Sequence, residues 1–125
     1  MSITRTLVAA SLLLTTQYVF ADAKLDEQMK SLALNSGCFI CHHIETGSKG
    51  PNGMAPIGPN WEDVAQKYKG QTGVREALVR AVMQGSNAYS SHWKDKVSGL
   101  AMPPNDVAIS QANTEKLVDW ILSLK

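Results

Sequence analysis

Two cysteines stand three residues apart with a histidine directly behind them, Cys38-Phe39-Ile40-Cys41-His42, and they are the only cysteines in 125 residues. In a chain with two Cys and three His, that coincidence arises by chance on the order of once in a few thousand arrangements. On one helical turn, positions i, i+3 and i+4 share a face. Two thiols so placed can add to the two vinyl groups of a haem while the imidazole behind them reaches the iron. The spacing is therefore that of covalent c-type haem (heme c) attachment through Cys38 and Cys41, with His42 as the proximal iron ligand. A redox dithiol would sit beside βαβ patterning, and the chain after residue 21 has no Val/Ile-rich alternating runs. A zinc site would need a second ligand pair, and the remaining histidines are His43, next to the motif, and the distant His92.

The first 21 residues have a different character. Arg5 is their only charge, an apolar stretch runs from Leu7 to Leu14, and Val19-Phe20-Ala21 ends in a small residue. This is the layout of a secretory signal peptide. Its apolar core is roughly eight residues long, well short of the roughly 20 needed to span a bilayer. Cleavage is expected after Ala21, with Ala23 as the competing site, leaving one mature domain over residues 22–125 and no transmembrane segment in it. The whole chain carries a formal charge of +1, and loss of Arg5 makes the mature part neutral. Nucleic acid and anionic membrane surfaces are thereby set aside as partners, since both call for a clear basic excess.

A haem iron needs a sixth ligand or else keeps an open position for chemistry. Leu100-Ala101-Met102-Pro103-Pro104-Asn105 supplies the best donor. A Met thioether is a soft axial ligand that raises the reduction potential, and two prolines directly behind Met102 fix φ twice and stiffen the loop that presents the sulfur. Met29, at helical spacing between Leu25 and Leu32, and Met83, beside Val82, read as packing residues. Met54 lies in a Gly/Pro loop only 12 residues past His42 and is the competitor, while His92 is a weaker one.

Hydrophobic spacing predicts an all-α chain. Leu25, Met29 and Leu32 give an N-terminal amphipathic helix that stops at Gly37. Trp61 to Tyr68 makes a second helix ending near Gly70. Thr72 is the expected N-cap of a third, with Val74, Leu78, Ala81 and Val82 on its buried side and Gly85 at its end. Ser110 caps the last, in which Leu117, Trp120, Ile121 and Leu124 form an apolar stripe. The first and last helices are expected to pack together, with Trp61 and Trp120 as core residues.

In order along the chain, CFICH, IGPNWEDVAQKYKG, LAMPPN and the closing helix KLVDWILSLK resemble the small bacterial class I cytochromes c, from about Leu25 to Lys125. The resemblance implies a class I cytochrome c fold, about four short helices wrapped around one covalently attached haem, and a periplasmic location. It also implies residue roles. Pro59 in Ile57-Gly58-Pro59 matches the proline whose carbonyl accepts from the ligand imidazole. Asn105 matches an asparagine whose amide reaches the methionine sulfur. Trp93 matches a tryptophan set against a haem propionate, and Arg80 falls one residue off the register of an arginine with the same task. The Gly/Pro-rich segment between His42 and Gly58 looks like an insertion relative to the smallest members. His43, adjacent to His42, cannot reach the opposite haem face and reads as a surface residue.

With His42 and Met102 both on the iron, the reading is a carrier of single electrons rather than an enzyme. Its partners would be redox proteins, with Lys94 and Lys96 biasing docking toward acidic surfaces. Two other readings remain open at this point. One is a haem subunit held permanently by a periplasmic oxidoreductase, with Thr46–Pro56 as a docking feature. The other is a haem enzyme or gas sensor in which Met102 is displaced. Six aromatics after residue 21 make a modest core, so the haem supplies the missing apolar centre. The haem-free chain is accordingly expected to be largely unfolded, and near-UV circular dichroism of apoprotein should show no fixed aromatic signals.

Overall fold

The computed structural model of the protein describes residues 22–125; the expected signal peptide over 1–21 and its cleavage after Ala21 lie outside the described residues. The described chain is helical and contains no strand. Helix α1 covers residues 22–35, α2 Trp61–Tyr68, α3 Val74–Gln84 and α4 Gln111–Ser123. Three single 3-10 turns lie between them, at Cys38–Ile40, Pro51–Gly53 and Ala88–Ser90.

α1 enters the core through Met29 and Ala33, one turn apart and 6% and 0% exposed. Leu32 packs against the edge of the same cluster. Leu25 is 46% exposed, so the expected stripe does not extend that far. The turn that carries it is held to α4 through the next residue, Asp26, whose carboxylate accepts from the Trp120 indole N–H at 2.7 Å, and Leu25 is left on the solvent side. The first and last helices are thus joined, as expected. Gly37 ends the α1 segment in the left-handed region, φ 74°, where a Cβ is disfavoured.

α2 buries Trp61, Val64, Ala65 and Tyr68, the i, i+3, i+4, i+7 face of an amphipathic helix. Glu62 and Asp63 occupy its first turn, where negative charge complements the helix dipole. α3 differs from expectation at its start. Gly73, at φ 74°, is the N-cap, and no side chain caps the helix. The chain turns into α3 through a left-handed residue, a conformation that glycine takes without strain and the β-branched Thr72 does not. On α3 only Val79 is buried. Val74, Leu78 and Val82 pack against the edge of the core and, with Ala81, also border a cavity, which leaves all four partly buried.

α4 closes the fold. The Ser110 hydroxyl accepts from the Asn113 N–H at 3.3 Å, the cap the sequence called for. Leu117, Val118, Trp120 and Ile121 are buried. Trp120 meets Trp61 edge to face, centroids 5.8 Å apart and planes at 87°, the arrangement that aromatic quadrupoles favour. Thr114, fully buried, donates its hydroxyl to the Met83 sulfur at 3.3 Å, which places Met83 in the α3–α4 contact. On the surface of that contact Arg75 binds both carboxylate oxygens of Asp119, at 2.6 and 2.9 Å, and holds that carboxyl below the usual carboxylate range. Removing the α4 cap should be felt across the fold: Ser110→Ala is expected to cost about 1 kcal/mol, read as a lower denaturant midpoint at unchanged slope.

Candidate functional site

The CxxCH segment forms a tight turn. The N–H groups of Cys41 and His42 both donate to the Cys38 carbonyl, at 3.2 and 3.0 Å, and Ile40 donates to Gly37. The turn places both cysteines and His42 on the wall of one cavity, which is the shared face that the spacing required. Neither cysteine is in a disulfide. Burial pushes the Cys38 thiol up from its ordinary value, the reverse of what a nucleophilic dithiol needs.

The His42 ring is held on several sides by the segment that follows the inserted loop. The Gly58 N–H donates to the Cys41 carbonyl at 2.7 Å. This draws Gly58 so close to the imidazole that a Cβ on residue 58 would lie 2.6 Å from His42 Cε1. Pro59 offers its carbonyl to His42 Nδ1 at 2.8 Å, the contact that the resemblance implied. Because a carbonyl can only accept, Nδ1 carries the hydrogen and Nε2 keeps a free lone pair. Trp61 lies nearly parallel to the ring, centroids 5.8 Å apart at 27°, and Phe39 packs against Trp61 in turn at 5.2 Å. Burial lowers the His42 pKa, and the Pro59 hydrogen bond only partly opposes it. The imidazole is thus kept neutral near pH 7, the state in which a histidine binds metal.

The cavity has a volume of about 490 Å³, within the range of cofactor sites. α2 contributes Trp61, Val64 and Tyr68, α3 contributes Val74, Leu78 and Val82, and α4 contributes Leu117, Val118 and Ile121. Among the described residues, no Lys, Arg, Asp or Glu lines it. A slot of this kind, with two thiols and a neutral imidazole on one wall, fits a flat apolar macrocycle carrying a metal.

The Met102 loop also borders the cavity. Among the described methionines, Met102 alone borders the cavity. Met29 is in the core, Met83 is engaged by Thr114, and Met54 is 57% exposed on the surface away from the cavity. Met102 is fixed by its backbone: its N–H donates to the Ser86 hydroxyl at 2.8 Å, and its carbonyl accepts from the Ser86 N–H at 2.9 Å. Gly85, which ends α3 at φ 81°, makes this possible. A Cβ there would come within 2.9 Å of the Met102 carbonyl oxygen and 3.1 Å of Pro104. The chain ahead of Met102 is also tied to the chain ahead of Gly58, since Ser98 and Gly99 donate to the Pro56 and Ile57 carbonyls at 2.9 and 3.0 Å.

Asn105 is engaged by the backbone on both sides of the loop. Its amide donates to the Pro103 carbonyl at 2.6 Å and the Val82 carbonyl at 3.3 Å, and its own N–H also goes to Val82, at 3.0 Å. Both amide hydrogens are spent on backbone oxygens. Asn105 therefore ties the Met102 loop to the last turn of α3. Trp93 borders the cavity, edge to face with Tyr68 at 6.4 Å, with the Lys67 ammonium 5.2 Å from its ring centroid. Arg80 is exposed and does not line the cavity. It sits on α3 between buried Val79 and cavity-lining Ala81, so the one-residue register offset turns it to solvent. His43 is exposed, as expected. Lys94 and Lys96 are exposed as well.

The inserted segment is a folded loop. Its start is bound to α2 by the Thr46 N–H on Glu62 Oε2 at 2.8 Å and the Thr46 hydroxyl on Asp63, and Asn60 donates to the Ser48 carbonyl at 3.3 Å. Sequence reasoning missed the stacking of Trp61 on His42, the Ser86 clamp, and the 2.8 Å hydrogen bond between the Tyr68 hydroxyl and His92 Nδ1. The Gly58 contact yields a direct test. Gly58→Ala drives a methyl into the imidazole and should cost about 1–3 kcal/mol as an overpacking substitution. It should also perturb the Soret spectrum of the holoprotein, whereas Gly47→Ala, which strains the backbone at φ 79° but adds its Cβ into open space, should cost stability and leave that spectrum unchanged.

Comparison with known proteins agrees with this geometry. The family model described as "Cytochrome c" matches residues 27–125. Cytochrome c-551 of Pseudomonas aeruginosa is 34% identical over 113 residues, covering 90% of this chain and 92% of its own. Cytochrome c-552 of Nitrosomonas europaea is 35% identical over 117 residues, covering 94% and 91%. The crystal structure of wild-type Nitrosomonas europaea cytochrome c552 superposes with a TM-score of 0.58 at 34% identity, over 77% of this chain and 99% of that one. The two cysteines on the cavity wall, the helical frame and these relatives lead to one conclusion: the chain belongs to the cytochrome c family, as a small class I member, an electron-transfer protein with haem c held covalently through Cys38 and Cys41.

Proposed function

We propose that the protein is a periplasmic single-electron carrier whose one haem is ligated by His42 and Met102, with residues 1–21 as its cleaved signal peptide and 22–125 as its cytochrome c domain. The observation that carries the reading is the pair of fixed donors on the cavity wall. His42 presents Nε2 because Pro59 occupies Nδ1, and Met102 borders the same cavity on a loop clamped by Ser86.

Bound haem supplies a ferric/ferrous couple at a potential raised by the thioether. The chain supplies the rest. Cys38 and Cys41 anchor the macrocycle, Pro59 sets the imidazole plane and tautomer, Asn105 and Ser86 hold the Met102 loop, and Trp93 closes the rim. Apolar side chains from α2, α3 and α4 exclude water, so little solvent has to reorient when the charge changes. Two protein ligands leave no position for substrate, which separates a carrier from a haem enzyme. Electrons would enter and leave through protein partners that dock on the surface. The loop between His42 and Gly58 is bound to the start of α2 by Thr46 and Asn60 and so moves with the body of the protein.

The test is the absorption spectrum of the holoprotein. Ferric protein should be low-spin and show the far-red charge-transfer band of Met ligation, which Met102→Ala should abolish and Met54→Ala should retain. A high-spin ferric spectrum in the unmodified protein, or a band that survives Met102→Ala, would overturn the ligand assignment.

A further inference from the structure

A second cavity, about 430 Å³ in volume, adjoins the first and shares Pro59 and Trp93 with it. That volume is enough for a small ligand, and the lining is polar where the first cavity is apolar. From the start of α2 come Asn60, Asp63 and Lys67, which at i, i+3 and i+7 share one side of the helix, apart from the side that buries Val64, Ala65 and Tyr68. Gln66 joins them, and Lys96 comes from the segment ahead of Met102.

Three polar groups of this lining are unspent. Lys67 and Lys96 are exposed, and among the described residues neither is ion-paired with a carboxylate. Lys67 is held at the site by the Trp93 ring, 5.2 Å from its centroid, a cation–π contact. Asp63, four residues before Lys67, accepts from the Thr46 hydroxyl instead. Two ammonium groups thus border the cavity with one carboxylate, which is already engaged. The third group is Asn60 Oδ1. Asn60 is 3% exposed, and its Nδ2 is committed to the Ser48 carbonyl at 3.3 Å. Among the described residues, Oδ1 is the one buried side-chain oxygen or nitrogen that finds no partner in the chain, and a buried acceptor calls for a donor.

We infer that this cavity binds a phosphate-class oxyanion, whose negative oxygens are taken by Lys67 and Lys96 and whose P–OH donates to Asn60 Oδ1, and that the bound anion lowers the reduction potential of the haem. Lysine serves phosphate as a point charge. Phosphate also meets the second demand, because at neutral pH it is an anion that still carries a hydrogen, whereas sulfate has the charge alone. The effect on potential rests on the carrier reading above; the binding itself does not. Only the shared residues separate the two cavities, among them Pro59, whose carbonyl holds His42 Nδ1 at 2.8 Å. Ferric haem has one more positive charge than ferrous haem, so an anion beside it is bound more tightly in the ferric state. By reciprocity the anion favours that state, and the potential falls as the site fills.

The experiment is calorimetric titration of ferric and ferrous holoprotein with inorganic phosphate at neutral pH, chloride keeping the ionic strength constant, with redox potentiometry along the same titration. The unmodified chain should bind phosphate saturably, more tightly when ferric, and its potential should fall to a plateau. Lys67→Gln and Lys96→Gln should each weaken binding about fivefold, and the double variant should lose both the binding and the fall. Lys94→Gln, which removes an exposed lysine of the same segment that lines neither cavity, should change neither. Sulfate should bind about fivefold more weakly than phosphate. Absence of saturable binding, the result if a haem carboxylate fills the cavity, overturns the proposal, and so does equal weakening by Lys94→Gln, the mark of diffuse surface charge. Sulfate that binds as tightly as phosphate overturns the role of Asn60. Binding that leaves the potential unmoved while the ferric spectrum is Met-ligated and low-spin overturns the link to the haem, whereas loss of that spectrum in the unmodified protein indicts the ligand set beneath it.

Discussion

The site depends above all on how one imidazole is confined. His42 has glycine against its face, a carbonyl on Nδ1 and an indole stacked beside it, and all three come from the short run Gly58–Trp61. That run is in turn bolted to the haem motif by the Gly58 to Cys41 hydrogen bond and by Trp61 and Glu62, whose N–H groups donate to the His43 and Ile44 carbonyls at 2.9 and 3.0 Å. The start of α2 and the attachment turn therefore form one rigid piece. α4 then packs on that piece through Trp120 against Trp61, so the helical frame and the His42 side share one aromatic contact.

The methionine side is built by a different device. No helix carries Met102. Its loop is held instead by backbone groups, to Ser86 and Val82 at the end of α3 and, one strap earlier, from Ser98 and Gly99 to Pro56 and Ile57. With no helix beneath it, the position of the thioether has to come from the loop around it. Spending the Asn105 amide on two carbonyls is consistent with that need: the asparagine contributes stiffness where the chain has no regular structure.

What was legible in the sequence was what short spacing encodes. The Cys38, Cys41, His42 triplet, the apolar faces of α2 and α4, the Ser110 cap and the Pro-Pro signature behind Met102 all lie within a few residues of one another, where geometry follows from helical period or fixed φ. What was not legible depends on distant partners. The Asn105 amide finds a carbonyl 23 positions away, and Tyr68 finds His92 across 24. Leu25 fits the helical period but loses its burial because α1 and α4 meet through Asp26. Thr72 is a good cap by type and is displaced by Gly73, because entry into α3 requires positive φ. Trp61 read as a core residue and is one, yet the same ring stacks on the imidazole.

The inserted loop closes on itself. Gly50 donates to the Met54 carbonyl at 3.0 Å, and only a residue without a side chain fits against Ala55, since a Cβ at 50 would fall 2.6 Å from the Ala55 carbonyl oxygen. The neck is pinned while its tip, Pro51 to Gly53, is exposed. Changes of length or chemistry at the tip are therefore insulated from the His42 side of the molecule. The tip is where this scaffold can acquire a new address, or accept a grafted peptide or an electrode linker, while the geometry around His42 stays as it is.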